Sequence, residues 1–224
     1  MSIELQFTGS TGRKAAAKRV AVIVLEGAKS SELKRSWGWA MRFSTHPVLI
    51  AVDGGVATCR TLRKRPDLFV GDLDSAPRAP AGVVARVYPV DKDFSDFSGA
   101  LGEAKAAGAQ VVVIAGLLGG RLDHEWANVH ELGAAAPGLA GLIAATSRGL
   151  IVATAGGLRV RGASGRQVSV FALNASTRVS LRGARWTLER RRLAPGSLGL
   201  SNVAEDPLAL DVHDGVAALV LPQL

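Results

Sequence analysis

"PVLIAVDGG", Pro47 to Gly55, is an unbroken apolar run closed by one aspartate and two glycines. A run without polar alternation is what a strand buried on both faces requires, and such strands belong to parallel sheets covered by helices. The same texture recurs on either side of it. "RVAVIVLEGA" (19–28) precedes it, and "DLFVGD" (67–72), "ARVYPVD" (85–91), "QVVVIAGLLGG" (110–120) and "LAGLIAAT" (139–146) follow. Amphipathic stretches with a helical period lie between them at Ser31–Arg42, Val56–Arg65, Phe97–Ala107 and Asp123–Ala135. Strands alternating with helices predict an α/β class, with an N-terminal doubly wound, mostly parallel sheet domain over residues 19–148. Gly99 and Gly102 weaken the third helix by roughly 1 kcal/mol each relative to alanine.

Beyond about Leu150 the pattern changes. "RQVSVFALN" (166–174), "TRVSLRG" (177–183) and "LALDVHDG" (208–215) alternate side chains and close on turn residues at short intervals. This predicts a small all-β sandwich domain over residues 149–224. A second core of that size is small and is expected to lean on a neighbour or a second subunit. Residues 1–18 are polar and are expected to form a mobile N-terminal segment.

The 224-residue chain is 48% apolar, ordinary for a folded protein of this length. No apolar run approaches the roughly 18 residues of a membrane span, and no leader pattern opens the chain, so a cytoplasmic protein without membrane attachment is expected. A single cysteine, Cys59, fits a reducing compartment. The net charge of +8 gathers at Arg13–Arg19, Arg60–Arg65 and Glu189–Arg192. No aromatic residues interleave these clusters as on a base-stacking surface, so nucleic acid is not the expected partner.

The carboxylates follow the strands. Asp53 ends "VLIAV", Asp72 and Asp74 follow "LFVG", Asp93 and Asp96 follow "VYPV", and Asp123 lies past "VVVIAG" and its glycine turn. All fall at the carboxyl edge of the predicted sheet, where open α/β folds bind ligands. Carboxylates gathered there repel one another unless a cation neutralises them, and hard oxygen donors suit Mg²⁺ beside phosphate. Gly54, Gly55 and the "GGR" of Gly119–Arg121 bring flexible backbone to the same edge, and Arg121 is suited to a bidentate phosphate contact. Taken singly, Asp53, Ser95 and Asp123 are also ordinary helix N-caps. No GxxxxGK[ST] loop is present, which argues against a P-loop kinase.

These stretches resemble, in order and spacing, the motifs of the thiamine pyrophosphokinase family: "DGG" from Asp53, "PDLFVGDLDS" (66–75), "DKDFSDFSGAL" (91–101) and "GGRLDHEWAN" (119–128). "ARWTLERRRLAPGSLGLSN" (184–202) is similar to that family's thiamine-binding segment. The resemblance implies a catalytic α/β domain, a β-sandwich that helps to hold thiamine, and a homodimer with shared active sites. It implies transfer of the pyrophosphoryl group of ATP to the thiamine hydroxyl, with AMP leaving. Asp72, Asp74 and Asp96 would hold Mg²⁺, and Asp53 and Asp123 would complete the acidic catalytic set. Gly54, Gly55, Ser95, Gly120, Arg121 and Asn128 would line the nucleotide site, and Trp186, Ser201 and Asn202 the thiamine site.

Two departures from the family pattern stand out. Ser95 replaces a usual threonine and keeps its hydroxyl. Val203 follows Ser201-Asn202 where the family usually carries an acid, with Glu205 two positions on. Two alternatives therefore remain: a Mg²⁺-dependent diphosphokinase for another hydroxymethyl substrate, such as a pterin alcohol, and a thiamine- or nucleotide-binding homologue without turnover.

Overall fold

The structure, a computed structural model, describes residues 2–8, 19–73 and 80–222. They fall into two compact units.

One unit takes the described part of Ala17–Glu131 together with Ile143–Ser147. Its strands are β2 (Val20–Val24), β3 (Val48–Val52), β4 (Leu68–Gly71), β5 (Val84–Val87), β6 (Val111–Ala115) and β7 (Gly141–Thr146, from Ile143 on). They run in the order β7-β6-β2-β3-β4-β5. The β6/β2, β2/β3, β3/β4 and β4/β5 pairs are all parallel, with Val22 opposite both Leu49 and Val113. Every residue of β2 and β6 is buried, as their unbroken apolar runs predict. Each fully buried valine, leucine or isoleucine contributes about 1.5–3 kcal/mol relative to an exposed one. Only the edge strand β5 is largely exposed.

Helix α1 (Ser30–Ala40) links β2 to β3, α2 (Gly55–Thr61) links β3 to β4, α3 (Asp96–Ala106) links β5 to β6, and α4 (Leu122–Ala135) follows β6. Buried Glu32 opens α1 by accepting hydrogen bonds from the backbone N–H groups of Lys29 (3.3 Å) and Ser147 (3.1 Å). Ser36 on the same helix donates to the Ile114 carbonyl at 3.0 Å, seating α1 on β6. Gly99 weakens α3 for a reason: a Cβ there would come within 2.6 Å of the Tyr88 ring, which stacks edge-on against Phe94 at 5.1 Å. Cys59 is buried in α2, and burial pushes its thiol up to about 11 against the opposing influence of Lys64.

The second unit takes the described part of Met1–Ala16, Leu132–Leu142 and the described part of Arg148–Leu224. It contains β1 (Glu4–Thr8), β8 (Gly149–Thr154), β9 (Gly157–Arg161), β10 (Gln167–Ala172), β11 (Arg178–Ala184), β12 (Leu188–Arg192), β13 (Asn202–Asp214) and β14 (Ala217–Pro222). All its pairings are antiparallel. β9 joins β1 to β13, β13 continues to β11 and β11 to β12, while β14 joins β8 to β10. The long β13 also meets β10 through Asn202 and Val203.

The N-terminal segment corrects an expectation. Residues 4–8 are not a mobile tail but the strand β1, with Phe7 opposite Leu158 and buried against Gly141. Burying this ring offsets the entropy of ordering a short terminal strand. Among the described residues no helix is long and apolar enough to cross a membrane.

Candidate active site

The sheet order of the first unit reverses at β2: β3 to β5 run out to one side of it and β6 to the other. A reversal of this kind opens a crevice at the carboxyl ends of the strands. A cleft of about 390 Å³ lies there, lined by Leu25–Gly27 after β2, Asp53 after β3, Ser95–Phe97 at the start of α3, and Gly116, Leu117, Gly120, Arg121, His124, Glu125 and Asn128 after β6. That volume is in the range of small-molecule sites.

Asp53, Asp72 and Asp96 converge at this edge, with one carboxylate oxygen from each lying within 4.8 Å of the others. The local folding that brings them together is specific. Asp53 is buried and takes a left-handed backbone (φ 42°), held by its N–H on the Val70 carbonyl at 3.0 Å. A non-glycine residue in that region is uncommon, and strain of this sort concentrates at functional sites. The Asp53 carboxylate lies over the Cα of Gly71, where any side chain would collide with it. Asp72 leaves the end of β4, and Asp96 begins α3, whose N-cap is Ser95, accepting from the Ser98 N–H at 3.0 Å.

Sequence reasoning missed the residue that joins two of these acids. Lys92 Nζ lies 2.9 Å from Asp72 Oδ2 and 3.2 Å from Asp96 Oδ2, with its side chain 8% exposed. Burial alone would lower its pKa, but the hydrogen bonds to Asp72 and Asp96 outweigh burial and raise it, so the ammonium stays charged. The one available signal was the i,i+4 spacing of Lys92 and Asp96 inside "DKDFSD". Glu26 was also missed; it lines the cleft beside Gly54, where a Cβ would meet its Oε1 at 2.9 Å.

The remaining candidates divide. Gly120, Arg121 and Asn128 line the cleft with Ser95, and the Asn128 amide donates to the Leu117 carbonyl at 3.1 Å. Gly54 is the N-cap of α2, and Gly55 is its buried first residue. Asp123 stands apart from the converging trio: it is exposed on the first turn of α4 and pairs with Arg121 at 2.6 Å. The hydrogen bond from Arg121 holds its carboxyl below the usual range. Asp93 is exposed. Asp74 lies outside the described residues.

In the second unit a bulge at Gly183 (φ 67°) shifts the register of β11 against β13 just before Trp186. Trp186 is 57% exposed, so it is no core tryptophan, and the Arg185 guanidinium sits 5.6 Å from its ring centroid. Asn202 is buried and holds the Trp186 backbone from both sides. Its Oδ1 accepts from the Trp186 N–H at 3.1 Å, and its Nδ2 donates to the Trp186 carbonyl at 2.6 Å. Ser201 is exposed with a left-handed backbone (φ 59°), its N–H on Ser169 Oγ at 3.1 Å. Val203 is half-buried in β13.

Three close carboxylates are a donor set for a hard divalent cation. The fit is supported by Asp96 Oδ1, which is buried and has no hydrogen-bond partner among the described residues. A buried charged oxygen in that state costs free energy unless a ligand satisfies it.

An open parallel sheet with acids converging in a cleft at its switch point defines a class: α/β proteins suited to a hard cation together with an anionic ligand. Residues 40–137 match the family model described as Thiamin pyrophosphokinase, catalytic domain. Over these residues the chain is similar to the catalytic domain of the thiamin pyrophosphokinase family. The fold is similar to solved structures of that name from two organisms. The thiamine pyrophosphokinase from Bacillus subtilis superposes with a TM-score of 0.74 at 19% identity, covering 92% of this chain and 100% of that one. The enzyme from Geobacillus thermodenitrificans gives 0.70 at 21% identity, covering 92% and 98%. A thiamin pyrophosphokinase family protein from Enterococcus faecalis gives 0.65 at 20%, covering 92% and 99%. No curated protein sequence matches the chain.

Proposed function

We propose that this protein is a cytoplasmic thiamine pyrophosphokinase. In the reaction the thiamine hydroxyl oxygen bonds to the β-phosphorus of ATP, the bond from that phosphorus to the bridging oxygen of the α-phosphate breaks, and AMP leaves with the electron pair. A cleft aspartate accepts the hydroxyl proton. The observation that carries this reading is the convergence of Asp53, Asp72 and Asp96 at the carboxyl edge of the sheet, with Asp53 and Asp96 lining the cleft.

Asp72 and Asp96, with Asp74 from the same motif, would hold Mg²⁺, which supplies charge neutralisation on the polyphosphate. Attack by an alcohol on a polyphosphate is promoted mainly by alignment and by neutralising the phosphoryl oxygens. Arg121 meets those oxygens directly, while the backbone of Gly54, Gly55 and Gly120 and the side chains of Ser95 and Asn128 shape the nucleotide site. Asp53 holds the acidic edge in place, and Asp123 presents Arg121.

Trp186 offers a flat face to the pyrimidine and the cationic thiazolium, a contact worth roughly 0.5–2 kcal/mol. Ser201 borders it, and Asn202 acts by fixing the Trp186 backbone. Residues 149–224 form the thiamine-binding sandwich and residues 19–148 the catalytic domain, in a homodimer with shared active sites. Trp186→Ala is expected to raise the KM for thiamine about tenfold with kcat nearly unchanged. Steady-state kinetics at saturating ATP check this, and an unchanged KM would remove Trp186 from the site.

The test of the function is product analysis after incubation with thiamine, ATP and Mg²⁺. Thiamine diphosphate and AMP in equal amounts, dependent on both thiamine and metal, are expected. ADP in place of AMP would mean simple phosphorylation. Transfer to a pterin alcohol with thiamine ignored would favour the related diphosphokinase, a reading that Val203 keeps open. Binding of thiamine or ATP without any product would leave a non-catalytic homologue.

A further inference from the structure

The Asp72–Asp96 pair already holds a cation, and it belongs to the protein. Lys92 bridges Oδ2 of both acids at 2.9 and 3.2 Å, and all three side chains are largely buried, at 8%, 10% and 17% exposure. A divalent ion such as Mg²⁺ held by these carboxylates, Asp96 Oδ1 included, would sit about 2.0–2.1 Å from its donor oxygens. The ammonium, hydrogen-bonded to the other oxygen of the same Asp96 carboxylate and to Asp72, crowds that space and repels the incoming charge. Metal binding there is therefore opposed until Lys92 moves away.

The displaced ammonium needs a new anionic partner, because an unpaired buried charge is costly. The nearest chemistry able to provide one is the polyphosphate that the cleft is read to bind. We propose that Lys92 is a tethered counter-cation that closes the Asp72–Asp96 notch to free divalent ions and yields it only when a polyphosphate arrives to take up its ammonium. Metal and nucleotide then bind cooperatively, and each tightens the other by the same factor. The carboxylates are kept from repelling one another in the empty enzyme, and the metal enters with the substrate it serves. The inference rests on the metal-dependent nucleotide reading but not on thiamine as the acceptor.

The test measures Mn²⁺ binding by electron paramagnetic resonance, with and without α,β-methylene-ATP, in the wild type, Lys92→Met and Lys92→Arg. Wild type is expected to bind Mn²⁺ weakly alone and at least tenfold more tightly with the analogue. Lys92→Met is expected to bind Mn²⁺ alone at least tenfold more tightly than wild type, with most of the analogue's effect gone. Lys92→Arg keeps the charge and is expected to retain the coupling. If Lys92→Met binds Mn²⁺ alone no more tightly than wild type, or keeps the full coupling, the proposal is overturned.

Thermal unfolding covers the case in which the bare carboxylates weaken the Lys92→Met fold. Mn²⁺ alone should then raise the Tm of this variant more than that of wild type, and an equal or smaller rise would count against the proposal. No turnover is needed for either readout. Gain of Mn²⁺ affinity in Lys92→Met, beside a wild type that makes no thiamine diphosphate, would sustain the counter-cation while removing thiamine as the acceptor. Absence of Mn²⁺ binding in every variant, even with the analogue, would remove the counter-cation and the metal reading together.

Discussion

Asp96→Asn is expected to reduce formation of thiamine diphosphate by at least about 100-fold while leaving the circular dichroism spectrum unchanged. The substitution keeps shape and volume and changes only charge and donor character. Asp96 contributes one of the three converging carboxylate oxygens, and its Oδ1 is buried without a hydrogen-bond partner among the described residues. An amide there presents a neutral group in place of an anion at the cleft. Losses of about 10²–10³ in kcat are typical when one preorganised electrostatic contact to a developing charge is removed. Asp72→Asn should act in the same direction, since Asp72 shares Lys92 with Asp96. Asp123→Asn is the control: its carboxylate is exposed and engaged with Arg121, so a loss below about tenfold is expected. Turnover of Asp96→Asn above half of the wild-type rate would mean that the reaction does not take place among these acids.

Gly55→Ala should be the most damaging small change to the fold. A methyl group at this first residue of α2 would strike the Val24 carbonyl oxygen and lie 2.9 Å from its carbon, with the Leu25 carbonyl carbon at 3.2 Å. Those atoms cannot yield easily, because β2 is hydrogen-bonded to β3 on one side and β6 on the other. Overpacking of this kind costs about 1–3 kcal/mol and more where backbone must move, which for a protein of this size lowers Tm by about 2–12 °C. The displaced strand end carries Leu25–Gly27 on the cleft wall, so nucleotide affinity should fall with stability. Gly102→Ala, where nothing lies within 4 Å of the added Cβ, should instead stabilise α3 by about 0.5–1 kcal/mol. Thermal unfolding of the two variants checks the pair of signs, and an unchanged Tm for Gly55→Ala would show that the β2–α2 contact is looser than its geometry.

Most of the parallel sheet was legible because its signal is local. Val20–Val24, Val48–Val52 and Val111–Ala115 are apolar at every position and prove to be strands with little or no exposure. Asp53 and Asp72 could be placed at the carboxyl edge for the same reason, since each follows the end of an apolar strand, whereas Asp96 opens α3 after the largely exposed edge strand β5. The short edge strand β5 and the strand β1 were harder to read. β1 is held by β9 and by Gly141, residues more than a hundred positions away.

The amino-acid sequence by itself determined the alternation of buried strands and helices, the change to antiparallel strands near residue 150, and the edge on which the acids gather. These follow from periodicity and chain order, which need no partner distant in sequence. Tertiary structure alone decided which acids meet. Two strand ends, those of β3 and β4, and the start of α3 had to be brought together before Asp53, Asp72 and Asp96 came within 4.8 Å and Asp123 stood apart with Arg121. It alone showed that Gly71 makes room for the Asp53 carboxylate, that Asn202 is committed to the Trp186 backbone, and that Lys92 rests between two of the acids. The physical reason is that Coulombic and steric terms act through distance in space, and spacing along the chain does not encode that distance until the sheet is formed.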